Sequence, residues 1–403
     1  MKITFEGKNL SGVIKAPASK SIYHRELIVR FLCGDRENLE VLDGDNDDVQ
    51  ATKACLRAIR DAQDGINKGD VILPCNESGS TLRFMIPVAS ACLLRSGVQI
   101  SSKLVFTTKG RLCDRPLGEL ADAMGPHGIT ISKNMEDRTV IVEGTMTPGV
   151  YTIDGSVSSQ YISGLIMALP LFDSESRIDV TGGIKSVHYI ELTENVLRKY
   201  GCGIARENDT YLPEAGGYKT KPEGEFSVEG DWSNGAFLLC LKEFTDIEVT
   251  NLNPDSAQGD KAIVDFLNEV KNANGGEVTF DCADIPDIAP YMAVLAAFRT
   301  SKTILTSTGR LRIKESDRSK AVCEQLAAIG VKTVENEDSI EIYAYNNTAP
   351  SDIILESYHD HRMAMCAVLI AAALKTTITI DEIDCMNKSF PELRELCMKE
   401  LCE

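Results

Sequence analysis

Basic residues recur where helices should begin. Lys20 and Arg25 sit in PASKSIYHR, Arg83 in SGSTLRF, and Arg111 and Arg115 in RLCDRP. Lys314 and Arg318 sit in RIKESDRS, Arg362 in HDHRMAM and Lys388 in NKSFPE. Arginine forks match phosphate and carboxylate geometry, and lysine adds a mobile point charge. One such residue is an ordinary surface charge. Their recurrence at segment starts points to recognition of small, multiply charged anions. Ser158, Ser159 and Gln160 open another segment, where hydroxyls and N–H groups can hold a phosphate. On spacing alone, Asp287 after Pro286 reads as a helix cap and Glu315 as a partner of Arg318.

Other chemistries lack their signatures. There is no G-x-x-x-x-G-K-[ST] loop, no G-x-G-x-x-G after a strand and no G-x-S-x-G elbow. The 13 Cys include no C-x-x-C pair, which reads as reduced cytosolic thiol usage rather than a disulfide framework or zinc site. Of the five His, only His359 and His361 lie close together, and no metal site is expected. Lys plus Arg number 42 and Asp plus Glu 60, a net charge of −18 over 403 residues. That balance argues against binding nucleic acid or an anionic membrane surface. The longest apolar run, Met363 to Leu374, is too short to span a bilayer, and the first residues carry no signal-peptide core. A cytoplasmic location is the expectation.

The elements that must position these residues follow a repeating plan. Six segments, starting at Ser19, Glu77, Asp154, Gly230, Asp284 and Tyr358, are apolar on all sides after a polar first turn, which predicts buried helices. They alternate with amphipathic helices starting at Asp48, Arg115, Tyr189, Asp260, Ser316 and Pro391. Short strand-like runs such as TVIVEG, SRIDVTGG and TITIDEI fall between them. The class is α/β. A Gly-, Pro- and Lys-rich stretch from Glu214 to Gly230 marks a break after the third repeat. Each buried helix start carries about half a positive charge, so such ends can bind anions despite the net charge.

These segments resemble the 5-enolpyruvylshikimate-3-phosphate synthases of the enolpyruvyl transferase family. PASKSIYHR, NESGSTLRF, RLCDRPLG, DGSVSSQ, VEGDWSN, NPDSAQGD, DIPDIA, RIKESDR, HDHRMAM and NKSFPE occur in family order across nearly the whole chain. The resemblance implies a two-lobed inside-out α/β barrel, each lobe built of three βαβαββ units with buried helices. It implies lobes of 19–229 and of 230–403 plus 1–18. The implied reaction moves the enolpyruvyl group of phosphoenolpyruvate to the 5-hydroxyl of shikimate 3-phosphate, releasing phosphate, in aromatic amino-acid biosynthesis. Lys20, Arg115, Arg318, Arg362 and Lys388 would hold phosphoenolpyruvate, with Gly79 and Gln160 lining it. Ser21, Arg25, Ser158, Ser159, Ser186, Tyr189 and Lys314 would hold shikimate 3-phosphate. Asp287 and Glu315 would be the acid/base pair, with Lys20 a third participant. A monomer without metal or organic cofactor is implied.

Some positions depart from the family pattern: Glu77 stands where Asn is common, Ser80 where Thr is common, and Arg310 where some members place Asn. Glu77 is expected to turn away from phosphoenolpyruvate and bond backbone N–H groups at its own helix start. Two alternatives remain open, a UDP-N-acetylglucosamine enolpyruvyl transferase and a non-catalytic anion-binding relative. The first would need a Cys five residues before Arg115, where Gly110 stands; the second would be favoured by loss of Lys20, Asp287 or Glu315, all present.

Overall fold

The computed structural model describes residues 2–401, except 6–9, 38, 43–44, 67–68, 96, 99, 102, 185, 220–227 and 347–348. The chain divides into two compact units, residues 20–228 and residues 1–19 with 229–403. Ser19 and Glu229 thus belong to the second of these units. The Ser19 amide donates to the Glu229 carbonyl at 2.8 Å, and Ala18 forms a bridge with Gly230. Most of the Gly- and Pro-rich break, 220–227, lies outside the described residues.

One supersecondary unit is complete three times. In residues 20–228, strand Val71–Asn76 runs into helix Gly79–Leu93, then strand Lys103–Thr108, helix Gly118–Met124, and the antiparallel strands Ile129–Asn134 and Thr139–Gly144. The first two strands are parallel, and Thr139–Gly144 pairs between Lys103–Thr108 and Ile129–Asn134. The same order and directions return in strands Val150–Asp154, Arg177–Thr181, Ile204–Glu207 and Thr210–Pro213. They return again in the other unit in Gly275–Asp281, Thr300–Thr306, Thr333–Glu335 and Ser339–Tyr343. Parallel neighbours need a crossover, and each buried helix supplies one.

The N-terminal strands complete two smaller sheets of the second unit. Ser11–Lys15 pairs parallel with Asp246–Thr250, and Lys2–Thr4 pairs antiparallel with Thr377–Ile380, which lies parallel to Ile353–Leu355. Among the described residues, Lys20–Leu32 and Asp47–Gln63 are not joined by a strand.

The buried helices follow from composition. Every residue of Gly79–Leu93 except Ser80 is buried, and so is every residue from His361 to Ala372 in His361–Leu374. Apolar side chains all round leave no face for water. His188–Lys199 instead buries a stripe of Ile190, Leu192, Thr193, Val196 and Leu197 and keeps its charges outside. Each unit has its own apolar core, one through Phe84, Ile162 and Leu165, the other through Phe237, Met292 and Leu369.

Candidate active site

In residues 20–228, Arg25 and Arg83 are held by neutral partners. Arg25 lies one turn into helix Lys20–Leu32 and is 1% exposed. Its Nε donates to Thr193 Oγ1 at 2.7 Å, one Nη to the Ser21 carbonyl at 2.6 Å, and the other to the Tyr189 carbonyl at 2.7 Å. Burial lowers its proton affinity, and among the described residues no carboxylate bonds to it. A buried cation among neutral acceptors is costly unless an anion arrives. Ser186 is buried in the left-handed region (φ 51°), and its carbonyl accepts from the Tyr189 amide, starting the helix that presents Tyr189 to Arg25. Lys20 differs, since its Nζ pairs with Asp48 at 3.0 Å.

Two helix starts in this unit are capped by hydroxyls. Ser78 accepts from the Thr81 amide at 3.2 Å, and Ser158 from the Gln160 amide at 3.3 Å. Neutral caps leave the helix-end positive charge available to an anion. Ser159 is buried in the first turn. Gln160 meets the neighbouring helix, donating from Nε2 to Ser80 Oγ at 2.9 Å and accepting from Arg83 at 2.8 Å. Gly164 permits this: a Cβ there would stand 2.8 Å from the Arg83 carbonyl and from Pro87 Cγ. Gly79 abuts Arg115 so closely that a Cβ would collide with the guanidinium.

Glu77 is not the cap of its helix; Ser78 is. Asn76 takes a left-handed turn (φ 50°), and the Glu77 carboxylate lies against Gly110, where a Cβ would stand 3.0 Å from either oxygen. The cap bond expected of Glu77 is thus made by Ser78, and Glu77 packs against the loop before Arg111. Cys113, two residues before Arg115, is fully buried, its Sγ 3.7 Å from Met135 Sδ. It cannot act as an exposed nucleophile.

In the second unit Arg318 and Lys314 pair with carboxylates, among them the fully buried Asp360. Arg318 is 2% exposed and donates to Asp287 at 2.7 Å, to Asp360 at 2.8 Å through Nε and at 3.3 Å through an Nη. Lys314 Nζ stands 3.3 Å from the same Asp287 oxygen. Glu315 accepts from His361 Nδ1 across 3.0 Å and lies 4.0 Å from Arg318. Asp287 is therefore no helix cap; Ile288 holds that position without a side-chain bond.

The charges set the protonation states. Burial pushes the Asp287 carboxyl up, but Lys314, Arg318 and Arg362 outweigh it and hold the group well below the usual range. Burial likewise opposes ionisation of Glu315, and His361, Arg318 and Lys388 overcome it. Both carboxylates are ionised when no substrate is bound. Asp260 behaves oppositely: burial and the nearby Asp287 charge raise it to about 7, against the opposing bond from Ser233 and the Arg362 charge.

Asp360 and Asp231 cap the helices His361–Leu374 and Trp232–Lys242. Arg362, 4% exposed, donates to Tyr291 Oη at 2.9 Å and to the Ser233 carbonyl at 3.3 Å. Lys388 Nζ donates to the His359 carbonyl at 2.9 Å, which is aimed by left-handed Tyr358 and His359 (φ 55° and 54°). Donor atoms of Glu315, Asp360 and His361 lie within 4.8 Å of one another. Arg318 already supplies positive charge to both Asp360 oxygens, so the cluster does not call for a metal. Arg310 donates to the Ala283 carbonyl at 3.5 Å.

Asp360, His361, Asp260, Thr193 and Ser163 join the site without having been marked as site residues from the sequence, although the first three lie in quoted motifs. An Asp just before an apolar helical run is a cap signal, and it would have marked Asp360. Thr193 and Ser163 carry no local signal; only the packing of their helices brings them to Arg25.

Comparisons with known proteins show the family. The family model described as EPSP synthase (3-phosphoshikimate 1-carboxyvinyltransferase) matches residues 5–396. The chain belongs to the EPSP synthase family. It is 31% identical to the 3-phosphoshikimate 1-carboxyvinyltransferase of Clostridium kluyveri, covering 96% of this chain and 95% of that protein. It is 32% identical to the enzyme of the same name from Clostridium acetobutylicum, covering 95% and 93%. Among solved structures, EPSP synthase from Acinetobacter baumannii matches with a TM-score of 0.70 at 19% identity, covering 99% of this chain and 98% of that one. The enolpyruvyl transferase NikO from Streptomyces tendae matches with a TM-score of 0.63 at 15% identity, covering 99% and 96%. The fold is the two-domain inside-out α/β fold of these enzymes, and this family member is an enolpyruvyl transferase. Among the described residues, no helix is long and apolar enough to cross a membrane.

Proposed function

We propose that this chain transfers the enolpyruvyl group of phosphoenolpyruvate to the 5-hydroxyl of shikimate 3-phosphate, with Asp287 and Glu315 as its proton-transfer pair. The observation that carries the residue assignment is the cluster Asp287–Arg318–Asp360 with Glu315–His361, in which ionised carboxylates share one buried guanidinium.

The chemistry asks for such a cluster. Addition forms a bond between the 5-oxygen and the central carbon of phosphoenolpyruvate, takes a proton from the hydroxyl and places one on the methylene carbon. Elimination removes a proton from the resulting methyl group, breaks the bond to the phosphate oxygen and releases phosphate. The carboxylates are held too acidic to act as bases in the empty enzyme. An anionic substrate drawn to Arg318, Lys314 and Arg362 would share their charge and raise the proton affinity of Asp287 toward its working value. Lys20 is the third proton-handling group, tied to Asp48 before substrate arrives.

Binding follows from charge. Arg25, with Ser21, Ser158, Ser159, Ser186, Tyr189 and Lys314, would hold shikimate 3-phosphate. Lys20, Arg115, Arg318, Arg362 and Lys388 would hold phosphoenolpyruvate, with Gly79 and Gln160 beside it. Preorganised donors of this density offset the repulsion between two multiply charged anions.

The test is release of phosphate from phosphoenolpyruvate, measured with shikimate 3-phosphate, with UDP-N-acetylglucosamine and with neither. Release with the first alone is expected. Release with the sugar nucleotide, or with no acceptor dependence, would overturn the proposal.

A further inference from the structure

Arg83 is a buried cation that the proposed chemistry does not use. It is 5% exposed, on the helix that begins at Gly79, and its Nε is buried without a hydrogen-bond partner among the described residues. Burial lowers its proton affinity, with only partial compensation from Tyr161 and Glu119. An arginine kept in such a place at such cost invites a reason.

Its bonds supply one. Arginine carries donors only, so the Gln160 atom 2.8 Å from Arg83 must be the carbonyl oxygen. That choice turns the amide nitrogen toward Ser80, whose hydroxyl takes one N–H at 2.9 Å. The second N–H is left to serve another acceptor. With a neutral hydrogen-bonding residue at position 83, the amide could rotate and present its oxygen instead, which repels an anion. Arg83 also lies over the Tyr161 ring, at 5.5 Å to its centroid, and the Tyr161 hydroxyl donates to the Pro116 carbonyl at 2.5 Å. Pro116 follows Arg115, whose guanidinium abuts Gly79. Gln160, Ser80 and the Arg115 loop thus meet around one buried side chain.

We propose that Arg83 is a positioning residue that locks the Gln160 amide with its N–H edge toward the anionic substrate. This rests on the reading of Gln160 as a phosphoenolpyruvate contact. Arg83 itself touches no substrate; it acts through Gln160.

The experiment is a double-mutant cycle on the full chain, following phosphate release with phosphoenolpyruvate and shikimate 3-phosphate. Arg83→Gln is expected to raise the phosphoenolpyruvate KM about tenfold while the shikimate 3-phosphate KM changes less than about twofold. In a Gln160→Ala background the same change should add less than about twofold, because its target is gone. Equal effects of Arg83→Gln in both backgrounds would overturn the positioning role while leaving Gln160 in the site. An unchanged phosphoenolpyruvate KM in Gln160→Ala alone would remove Gln160 from the site, and the proposal with it. Should Arg83→Gln fail to fold, Gln160→Glu decides: its carboxylate can pair with Arg83 but offers no N–H. A phosphoenolpyruvate KM more than about tenfold higher, with an unchanged melting temperature, supports the proposal; wild-type kinetics overturn it.

Discussion

Arg25 and Arg83 in one unit and Arg318 in the other are held in opposite ways. Around Arg25 and Arg83 the partners are hydroxyls, carbonyls and an amide, and two helix starts are capped by Ser78 and Ser158. Around Arg318 the partners are Asp287, Asp360 and, farther off, Glu315, and three helix starts are capped by Asp231, Asp317 and Asp360. The first arrangement leaves much of the positive charge uncompensated, so an anion arriving at Arg25 meets no competing carboxylate among the described residues. The second begins neutralised, so an arriving anion competes with carboxylates and changes their proton affinity. The surroundings of Arg25 suit the holding of an anion, and those of Arg318 a change of proton affinity when an anion appears.

Variants can break this contrast, and the largest effect is expected at Asp287. Asp287→Asn keeps shape and hydrogen bonds but cannot take a proton, and should lower kcat by ~10²–10⁴-fold. Calorimetry should find shikimate 3-phosphate binding within about threefold of wild type, or ~0.7 kcal/mol. Abolished binding would show that the carboxylate shapes the site rather than moves a proton.

Arg318→Met should be next. It strands the fully buried Asp360 and should destabilise the fold by ~3–5 kcal/mol in denaturant titration. Arg25→Met is the matched control in the other unit. It loses hydrogen bonds but also removes a buried, unpaired charge, so its stability cost should stay below about 2 kcal/mol. Equal costs would erase the contrast.

Asp260 provides a pH signature for the carboxylate-rich unit. Its folded pKa, about 7, lies above the ordinary value of 3.8. The folded state then keeps a proton that the unfolded chain has lost, so this contribution to stability is complete below about pH 4 and is lost as pH rises toward 7. The slope is about 1.4 kcal/mol per pH unit for one proton. Asp260→Asn should remove that slope in melts across the window; an unchanged slope would place the proton elsewhere.

The smallest effect is expected at Glu77. Its carboxylate already packs against Gly110, so Glu77→Asn should change the phosphoenolpyruvate KM less than about tenfold, or ~1.4 kcal/mol. A hundredfold tighter KM would mean that the carboxylate repels the substrate.

Much of this molecule is legible in its sequence because the signals are local. All-round apolar segments such as Met363 to Ala372 can only be buried helices, and the same order of elements recurs along the chain. The motifs carry the family because charged and polar groups cluster at helix starts, where sequence neighbours stay spatial neighbours.

Other features depend on contacts far apart in the chain. Strand Lys2–Thr4 pairs with Thr377–Ile380, hundreds of residues away, and three-residue strands carry almost no pattern of their own. Asp287 reads as a cap because it follows Pro286; only the placement of Arg318 and Lys314 makes it an ion-paired carboxylate. Glu77 looked like a helix-start acceptor, but Ser78 takes that position and the Asn76 turn sends Glu77 to Gly110. Residue types and short spacings determined which groups this protein has. Burial and long-range packing decided which are charged, which are paired and which are left for a ligand, because a charge takes its energy from everything around it and not from its neighbours in the chain.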